Sequence, residues 1–201
     1  MTEIVDGVER CDWSGWAKTN TAEYRRYHDE EWGRPVRDGL ALWQKLVLDG
    51  MQAGLSWSVI LNKRDTIYAA FDGLNPEVCA GYGASEIEDL LGNPGIIRSR
   101  LKCESVIKNA RAYLAMESEG EDAFSKFIWS FTGGEQVVNS WGSLAEVPTQ
   151  TEASRAMSKA LKKRGFTFVG PVICYAFMQA VGIVNDHEME CWVREECIER
   201  Q

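Results

Sequence analysis

Residues 151–182 have the sequence TEASRAMSKALKKRGFTFVGPVICYAFMQAVG, which contains the clearest helix signals in the chain. Thr151 is a favourable N-cap residue, and residues 162–164 place three positive charges in the last turn of the helix that follows it. Gly165 can take the left-handed conformation that ends this helix. Gly170-Pro171 then opens a second helix, because proline at the first helical position loses no hydrogen bond. The sequence therefore predicts two helices joined by a hairpin between glycines.

This helix pair has a feature that suits a phosphate group. Free amides at the start of the second helix lie beside a basic first helix, and both attract anions. Any antiparallel helix pair also needs a tight glycine turn, so the motif alone is compatible with simple helix packing as well.

The rest of the chain has mostly helical periodicity and little strand-like alternation. The predicted helices cover about 40–47, 58–71 and 99–117. Ser85-Glu86-Ile87-Glu88 has the pattern of a capping box, which predicts a helix that begins there and ends near the proline-containing turn at 92–95. Residues 132–143 are the best candidate for a loop. We therefore expect an all-α fold.

The length and composition fit one globular unit. The chain has 201 residues, of which 45% are hydrophobic and 26% are charged, so residues 1–201 are expected to form a single domain or two closely packed helical lobes. No apolar run approaches the roughly 18 residues that span a bilayer, and the first residues have no pattern of a secretion signal. We expect a cytoplasmic monomer that does not contact a membrane.

The charge is unevenly distributed. The net charge is −8, yet residues 98–111 and 155–164 together carry ten basic residues and one acidic residue, which leaves −17 on the rest of the chain. A local basic surface on an acidic protein is compatible with binding to the phosphates of nucleic acid. The same residues could equally be ordinary solvated helix faces.

Two cysteines and two histidines near opposite ends of the chain form a candidate metal site. Cys11 and His28 lie near the start, whereas His187 and Cys191 have the i, i+4 spacing that puts both side chains on one face of a helix. Two nitrogen and two thiolate ligands are the tetrahedral set that structural zinc favours. Cysteine and histidine are also common as buried core residues, which remains the alternative.

Aromatic residues are concentrated in the first 32 residues. They are Trp13, Trp16, Tyr24, Tyr27 and Trp32, and Trp57 closes the later segment 48–57, which contains Asp49. Aromatic faces beside a carboxylate are what a flat cationic ring requires, since they supply stacking, cation–π attraction and an anionic acceptor. The alternative is that the tryptophans fill the core. Gly50 and Gly54 favour a site, because they weaken a helix and allow close backbone approach.

Six blocks of the sequence have a recognisable pattern and order. They are YHDEEWG (27–33), QAGLSW (52–57), GIIR (95–98), ALKKRGF (160–166), FVG (168–170) and VNDH (184–187). Over residues 9–191 the chain resembles the bacterial DNA-3-methyladenine glycosylase I family. This resemblance implies a helix-hairpin-helix fold and removal of 3-methyladenine from alkylated double-stranded DNA, with the free base as product. It also implies a bacterial cytoplasmic protein that lies at the nucleoid when it is bound to DNA.

The resemblance also assigns residues. The family's structural zinc ligands correspond to Cys11, His28, His187 and Cys191. The base pocket corresponds to the catalytic residues Asp49 and Tyr27 and to Trp57, Trp13 and Trp32 as substrate-binding walls. The DNA contacts correspond to Leu55, as a wedge into the duplex, and to Lys163, Arg164, Gly165 and Gly170 of the hairpin.

The chain departs from the family at the pocket. Asp49 replaces the usual glutamate and is one methylene shorter, while Met51 replaces a residue that is often glutamine. Asn185 stands where related glycosylases carry a catalytic aspartate, and the hairpin has no lysine at the nucleophile position. These features imply a monofunctional hydrolase that works mainly by selecting a cationic base. A damage-binding module without turnover and a zinc hydrolase with an open metal position are the alternatives.

Overall fold

The computed structural model describes residues 3–5, 7–13 and 22–199, so Trp16 lies outside the described residues. Ten α-helices occur within these ranges. They are α1 (Ala22–Glu30), α2 (Gly39–Met51), α3 (Trp57–Leu61), α4 (Arg64–Ala70), α5 (Pro76–Gly81), α6 (Ala84–Gly92), α7 (Arg100–Glu117), α8 (Ala123–Trp129), α9 (Glu152–Lys163) and α10 (Pro171–Ala180). Short 3₁₀ helices cover Asp72–Leu74, Ser130–Thr132 and Leu144–Glu146. None of the described helices is long and apolar enough to cross a membrane.

The fold is mostly helical, but the expectation of an all-α protein is too strict. Strands β1 (Glu3–Val5) and β2 (Val8–Arg10) pair antiparallel. Strands β3 (Val137–Val138) and β4 (Val184–Asn185) pair in parallel, and β3 lies in the segment predicted as a loop. The helical periodicity missed both sheets because their strands are only two or three residues long, too short for a detectable alternation.

The helix pair predicted over residues 151–182 is present with its expected caps. The Ser154 amide donates to the Thr151 hydroxyl at the start of α9 (3.2 Å). At its end, Gly165 has φ +94° and the Phe166 amide donates to the Leu161 carbonyl (3.1 Å), which closes a Schellman motif. Helix α10 begins with proline at its first position. Local capping signals therefore determined both ends of the hairpin.

Two other predicted boundaries need correction. Helix α6 begins at Ala84, and the Glu86 carboxylate accepts from the Gly83 amide (2.8 Å), so Ser85 is not the cap. Glycine supplies no side-chain oxygen, and the glutamate three residues later satisfies the orphan amide instead. The segment predicted as one helix over 58–71 is divided into α3 and α4, which are separated at residues 62–63.

Helix α2 runs through the centre of the molecule and carries Asp49. Nine of its thirteen residues are buried, and the Asp38 carboxylate caps its start by accepting from the Ala41 amide (2.7 Å). Near its end, a Cβ atom added at Gly50 would lie 3.3 Å from Phe168 in the hairpin. The absence of a side chain at Gly50 therefore lets the α9–α10 hairpin pack directly against α2.

Helix α7 holds two loops through buried polar side chains. The Lys102 ammonium donates to the carbonyls of Met51 and Ala53 at 2.8 Å each. Two turns further along, Asn109 accepts from the Thr167 amide (2.8 Å) and donates to its carbonyl (3.1 Å). The turn after α2 and the hairpin after α9 are therefore fixed relative to the same helix.

Candidate functional site

Aromatic side chains from three separate segments surround a cavity of about 190 Å³. Its lining includes Trp13, Tyr24, Tyr27, Trp32, Asp49, Gln52, Trp57, Leu144 and Gln179. Tyr27 and Trp57 lie 5.1 Å apart between ring centroids, and Trp13 meets Trp32 edge-on at 4.9 Å. The cavity therefore has flat π-surfaces on its walls and one carboxylate among them.

Asp49 is the charged group of this cavity. The residue is 2% exposed, and burial raises the pKa of its carboxyl above the usual range, whereas the nearby Lys45 ammonium opposes that shift. Lys45 Nζ donates to Asp49 Oδ1 at 2.5 Å. The other oxygen, Oδ2, is buried and has no hydrogen-bond partner among the described residues. A buried carboxylate oxygen without a partner is costly, so a ligand that donates to it is favoured.

Tyr27 completes the polar part of the cavity. Burial raises the pKa of its phenol well above the usual range, and the charge of Asp49 adds to this effect. The phenol therefore stays protonated at neutral pH. Its ring can stack on a planar ligand while Trp57, whose indole nitrogen is also buried without a partner among the described residues, can donate a hydrogen bond.

A second constellation lies directly behind the aromatic walls. Cys11, His28, His187 and Cys191 are all buried, and their candidate ligand atoms lie within 4.8 Å of one another. Sulfur-to-nitrogen distances are 3.3 Å for Cys11–His187, 3.5 Å for Cys191–His187 and 3.6 Å for Cys191–His28. A tetrahedral ion with ordinary thiolate and imidazole bond lengths would set these edges at about 3.5 Å. The cluster therefore has the size of a four-ligand metal site.

The outer nitrogens of both histidines are also engaged. His28 Nδ1 lies 2.8 Å from the Asp29 carboxylate, and His187 Nε2 lies 3.0 Å from the Trp32 carbonyl. Such contacts orient metal-binding imidazoles and increase their basicity. Burial, followed by the neighbouring Cys191, raises the pKa of Cys11, so two ionised thiols at this position require a cation between them.

The two constellations share a wall. The Trp32 ring lies 4.5 Å from the His187 ring, and the Trp13 ring lies 4.8 Å from the His28 ring, both close to perpendicular. Ordering of the four metal-ligand candidates therefore also orders two walls of the aromatic cavity.

Comparisons with known proteins agree with this geometry. The family model described as methyladenine glycosylase matches residues 16–195. The chain belongs to the methyladenine glycosylase family. DNA-3-methyladenine glycosylase of Haemophilus influenzae is 49% identical over 182 residues, which cover 90% of this chain and 96% of that protein.

Solved structures of methyladenine glycosylases have the same architecture. The crystal structure of a 3-methyladenine DNA glycosylase I aligns with a TM-score of 0.87 at 48% identity, covering 91% of this chain and 98% of the other. A tyrosine-to-phenylalanine variant of 3-methyladenine DNA glycosylase I in complex with 3-methyladenine aligns with a TM-score of 0.86 at 32% identity, covering 91% and 97%.

In this methyladenine glycosylase, the residues expected to hold the base come together. Trp13, Tyr27, Trp32, Asp49 and Trp57 all line the 190 Å³ cavity. The residues expected to contact DNA lie elsewhere. Leu55 is 39% exposed at the turn after α2, Lys163 and Arg164 are exposed at the end of α9, and Gly165 and Gly170 have open space where a side chain would begin.

Four of the ten basic residues in the two windows already contact other groups of the protein. In the window 98–111, Lys102 is buried against backbone carbonyls, and Arg111 donates to the Ala80 carbonyl (2.8 Å). Arg100 pairs with Glu88, and Arg164 in the second window pairs with Glu119. Lys102 is therefore not available to phosphates, whereas Arg100 and Arg164 stay exposed in surface ion pairs, which are weak enough for a phosphate to replace.

Several residues of the cavity were not predicted as site residues. Gln52 and Gln179 line it. Gln52 opens the QAGLSW block, but nothing in the sequence assigned it to the pocket, and Gln179 carries no distinctive local pattern. Lys45, which pairs with Asp49, had a signal in the sequence, because a lysine four residues before an aspartate on a helix can form an ion pair. Asn185 is engaged structurally: its amide donates to the Arg194 carbonyl (3.0 Å) and accepts from the His187 amide (3.2 Å).

Proposed function

We propose that this protein is a monofunctional DNA glycosylase that removes 3-methyladenine from alkylated double-stranded DNA in base-excision repair. The observation that carries the proposal is the aromatic cavity around a buried carboxylate oxygen without a partner among the described residues. The relatives named 3-methyladenine DNA glycosylase, one of which is in complex with 3-methyladenine, support the choice of base.

Selection of the damaged base follows from charge. Methylation at N3 gives the adenine ring of the nucleotide a positive charge, which the walls of Tyr27 and Trp57 attract through their π-faces and Asp49 attracts directly. Normal adenine is neutral and gains less from both interactions. A flipped, alkylated base is therefore retained in the cavity longer than its normal counterpart.

The cleavage step needs little acid catalysis. Water adds to C1′ of the sugar and releases a proton, while the bond between C1′ and N9 breaks and its electrons neutralise the charged ring. The base thus leaves as neutral 3-methyladenine without prior protonation. Asp49 and Tyr27 hold and orient the ring, and the enclosing aromatic walls limit access of other bases.

DNA contacts are assigned to the two loops that α7 holds. Leu55 would occupy the gap left by the flipped nucleotide. Lys163 and Arg164, with the amides beside Gly165 and Gly170, would contact phosphates at the start of α10.

Zinc is the metal that we assign to the four-residue cluster. Cys11 and Cys191 would supply thiolates, and His28 Nε2 and His187 Nδ1 would supply the nitrogens. Four protein ligands leave no open position, so the ion would be structural, and it would join the N-terminal segment to the C-terminal segment. We further propose that residues 1–201 act as one catalytic unit, as a monomer in the bacterial cytoplasm that associates with the nucleoid through DNA.

Release of free bases from methylated DNA tests the function. The protein is incubated with N-methylated duplex DNA, and liberated 3-methyladenine is separated by chromatography. We expect base release without strand cleavage, and an Asp49→Asn variant that folds normally but loses at least about 10²-fold in rate, because the amide cannot attract the cation. Asp65→Asn, the same change on an exposed residue of α4, serves as the control.

The outcomes separate the alternative functions. Tight binding to methylated DNA with no released base indicates a damage-binding module instead of an enzyme. Loss of turnover on chelation in a protein that stays folded indicates a zinc hydrolase. Base release by Asp49→Asn at the parental rate contradicts the assignment of the site.

A further inference from the structure

Lys45 lies beside the base cavity and contacts two of the residues that form it. Its ammonium donates to Asp49 Oδ1 at 2.5 Å and lies 4.1 Å from the centroid of the Trp57 ring. Only 16% of the Lys45 side chain is exposed. An ammonium in this position loses most of its hydration, so the carboxylate and the indole must hold it in one place.

Lys45 approaches Asp49 from outside the base cavity. It lines a neighbouring cavity of about 290 Å³ that does not include Asp49, whereas Asp49 lines the base cavity, which does not include Lys45. Tyr27 and Trp57 line both cavities. The ammonium therefore binds Oδ1 of Asp49 from the side of the neighbouring cavity, and Oδ2 remains as the oxygen that can bind a base.

Arg64, the other cation whose charge acts on Lys45, is already engaged. Arg64 on α4 pairs with Glu31 (2.6 Å) and Glu23 (3.0 Å). The charge of Asp49 in turn helps to raise the pKa of Tyr27 on α1 and of Cys174 on α10, so neither group supplies a positive charge to the pair. Among the described residues, Lys45 is therefore the cation that directly compensates Asp49.

We propose that Lys45 is a positioning residue for Asp49: it keeps the short carboxylate ionised and holds it so that Oδ2 is presented to the cationic base. This inference rests on the proposed glycosylase function. It also explains how an aspartate can serve where the family usually has a glutamate, because the ammonium fixes the shorter side chain from behind.

The electrostatic consequence is a defined pH dependence. Burial raises the pKa of Asp49 and Lys45 lowers it again. Without the ammonium, the carboxyl would bind a proton at higher pH and lose its attraction for the base. The charge on N3-methylated adenine in DNA does not titrate, so excision should follow the ionisation of Asp49 alone and decrease as the solution becomes more acidic.

The test compares Lys45→Met, Lys45→Arg and the parent. Single-turnover excision from methylated DNA is measured across pH, and ¹³C NMR of labelled aspartate carboxyls follows Asp49, which is assigned with Asp49→Asn. We expect Lys45→Met to raise the midpoint of the excision–pH profile and the midpoint of the Asp49 carboxyl titration by about one pH unit or more. Below the parental midpoint, this shift corresponds to a roughly tenfold lower excision rate. Lys45→Arg should restore the midpoint because it keeps the charge. Lys126→Met, at an exposed lysine of α8, should change neither.

A double variant tests whether any loss of stability in Lys45→Met comes from the unpaired charge of Asp49. Lys45→Met with Asp49→Asn contains no charge at either position, so it should unfold near the parental temperature even if Lys45→Met alone is less stable. Unchanged midpoints in Lys45→Met would overturn the proposal, and faster excision would show that Lys45 competes with the base instead. If the parent releases no base while the NMR midpoint still shifts, the proposed function fails and the coupling of Lys45 to Asp49 stands.

Discussion

Gly182 lies where the end of α10 meets the segment between α1 and α2. It has φ +68°, and a Cβ atom at this position would lie 2.4 Å from the carbonyl carbon of Arg34 and the nitrogen of Pro35. Those atoms belong to backbone that cannot move away cheaply. The two segments are also hydrogen-bonded at this point, since the Val36 amide donates to the Val181 carbonyl (3.0 Å).

Gly182→Ala should therefore be strongly destabilising. We expect a loss of about 2–4 kcal/mol in the free energy of unfolding, from the left-handed backbone conformation and from the overlap with backbone atoms. Gly73→Ala is the matched control, because Gly73 has φ +73° with nothing within 4 Å of its added Cβ and should lose only about 1 kcal/mol. If urea denaturation gave the same loss of unfolding free energy for Gly182→Ala and Gly73→Ala, the overlap of the new Cβ atom with the backbone would add no cost.

Single residues of the site were predictable to different degrees. Asp49 and Trp57 were found because their segment resembles a family motif, and the i, i+4 spacing allows an ion pair with Lys45, but the sequence does not indicate that this pair is buried and leaves Oδ2 without a partner among the described residues. Tyr24 was recognised only as a member of an aromatic group, whereas the resemblance assigned Trp13 to the pocket wall. Which rings face a cavity depends on how α1 packs against the rest of the chain, and local sequence does not contain that information.

At the scale of elements, α7 connects the loops assigned to DNA. Lys102 and Asn109 lie on one face of this helix and hold, respectively, the turn that carries Leu55 and the hairpin between α9 and α10. Sequence analysis assigned Lys102 to a basic surface. The structure shows it buried at 8% exposure, with its charge directed at two carbonyl groups.

Lys102→Met tests this role of α7. Both carbonyls would lose a charge-assisted hydrogen bond, so we expect a loss of about 2–4 kcal/mol in the free energy of unfolding and slower base excision as the turn around Leu55 loosens. Lys108→Met changes an exposed lysine of the same helix and should leave stability within about 0.5 kcal/mol of the parent. If Lys102→Met unfolded and excised the base as the parent does, Lys102 would not hold the turn that carries Leu55.

At the scale of the whole molecule, the metal-ligand cluster connects distant parts of the chain. Cys11 follows β2, His28 lies in the last turn of α1, and His187 and Cys191 follow β4. Other contacts reinforce this connection: Arg10 pairs with Asp29 at 2.7 Å, and the Trp192 amide donates to the Glu9 carbonyl at 3.0 Å. A bound ion would therefore stabilise the fold and the aromatic walls together.

Removal of the metal should consequently lower stability before it alters chemistry. We expect dialysis against a strong chelator to decrease the melting temperature by about 10 °C, since uncompensated buried ligands cost several kcal/mol. Readdition of zinc should restore it, and base excision should decrease in parallel with the folded fraction. A Cys11→Ser variant should show the same loss without chelator. No change in melting temperature on chelation would exclude a structural ion.

The sequence by itself determined the features that depend on near neighbours. The caps of α9, the left-handed glycine at its end and the proline that starts α10 act within a few residues of each other, so their pattern predicted the hairpin correctly. The family blocks identified the protein's class, and the pairing of cysteine with histidine near each end of the chain identified the four metal-ligand candidates.

Only the tertiary structure decided which of these groups work together. The parallel pairing of β3 with β4, the hydrogen bonds of Lys102 to the turn after α2 and the packing that buries the Lys45–Asp49 pair between two cavities all require distant segments to meet in space. Whether a charge is exposed or buried is set by what packs over it, and burial changes its energy by several kcal/mol. That energy comes from neighbours that can be far along the chain, which is why composition and spacing could not assign it.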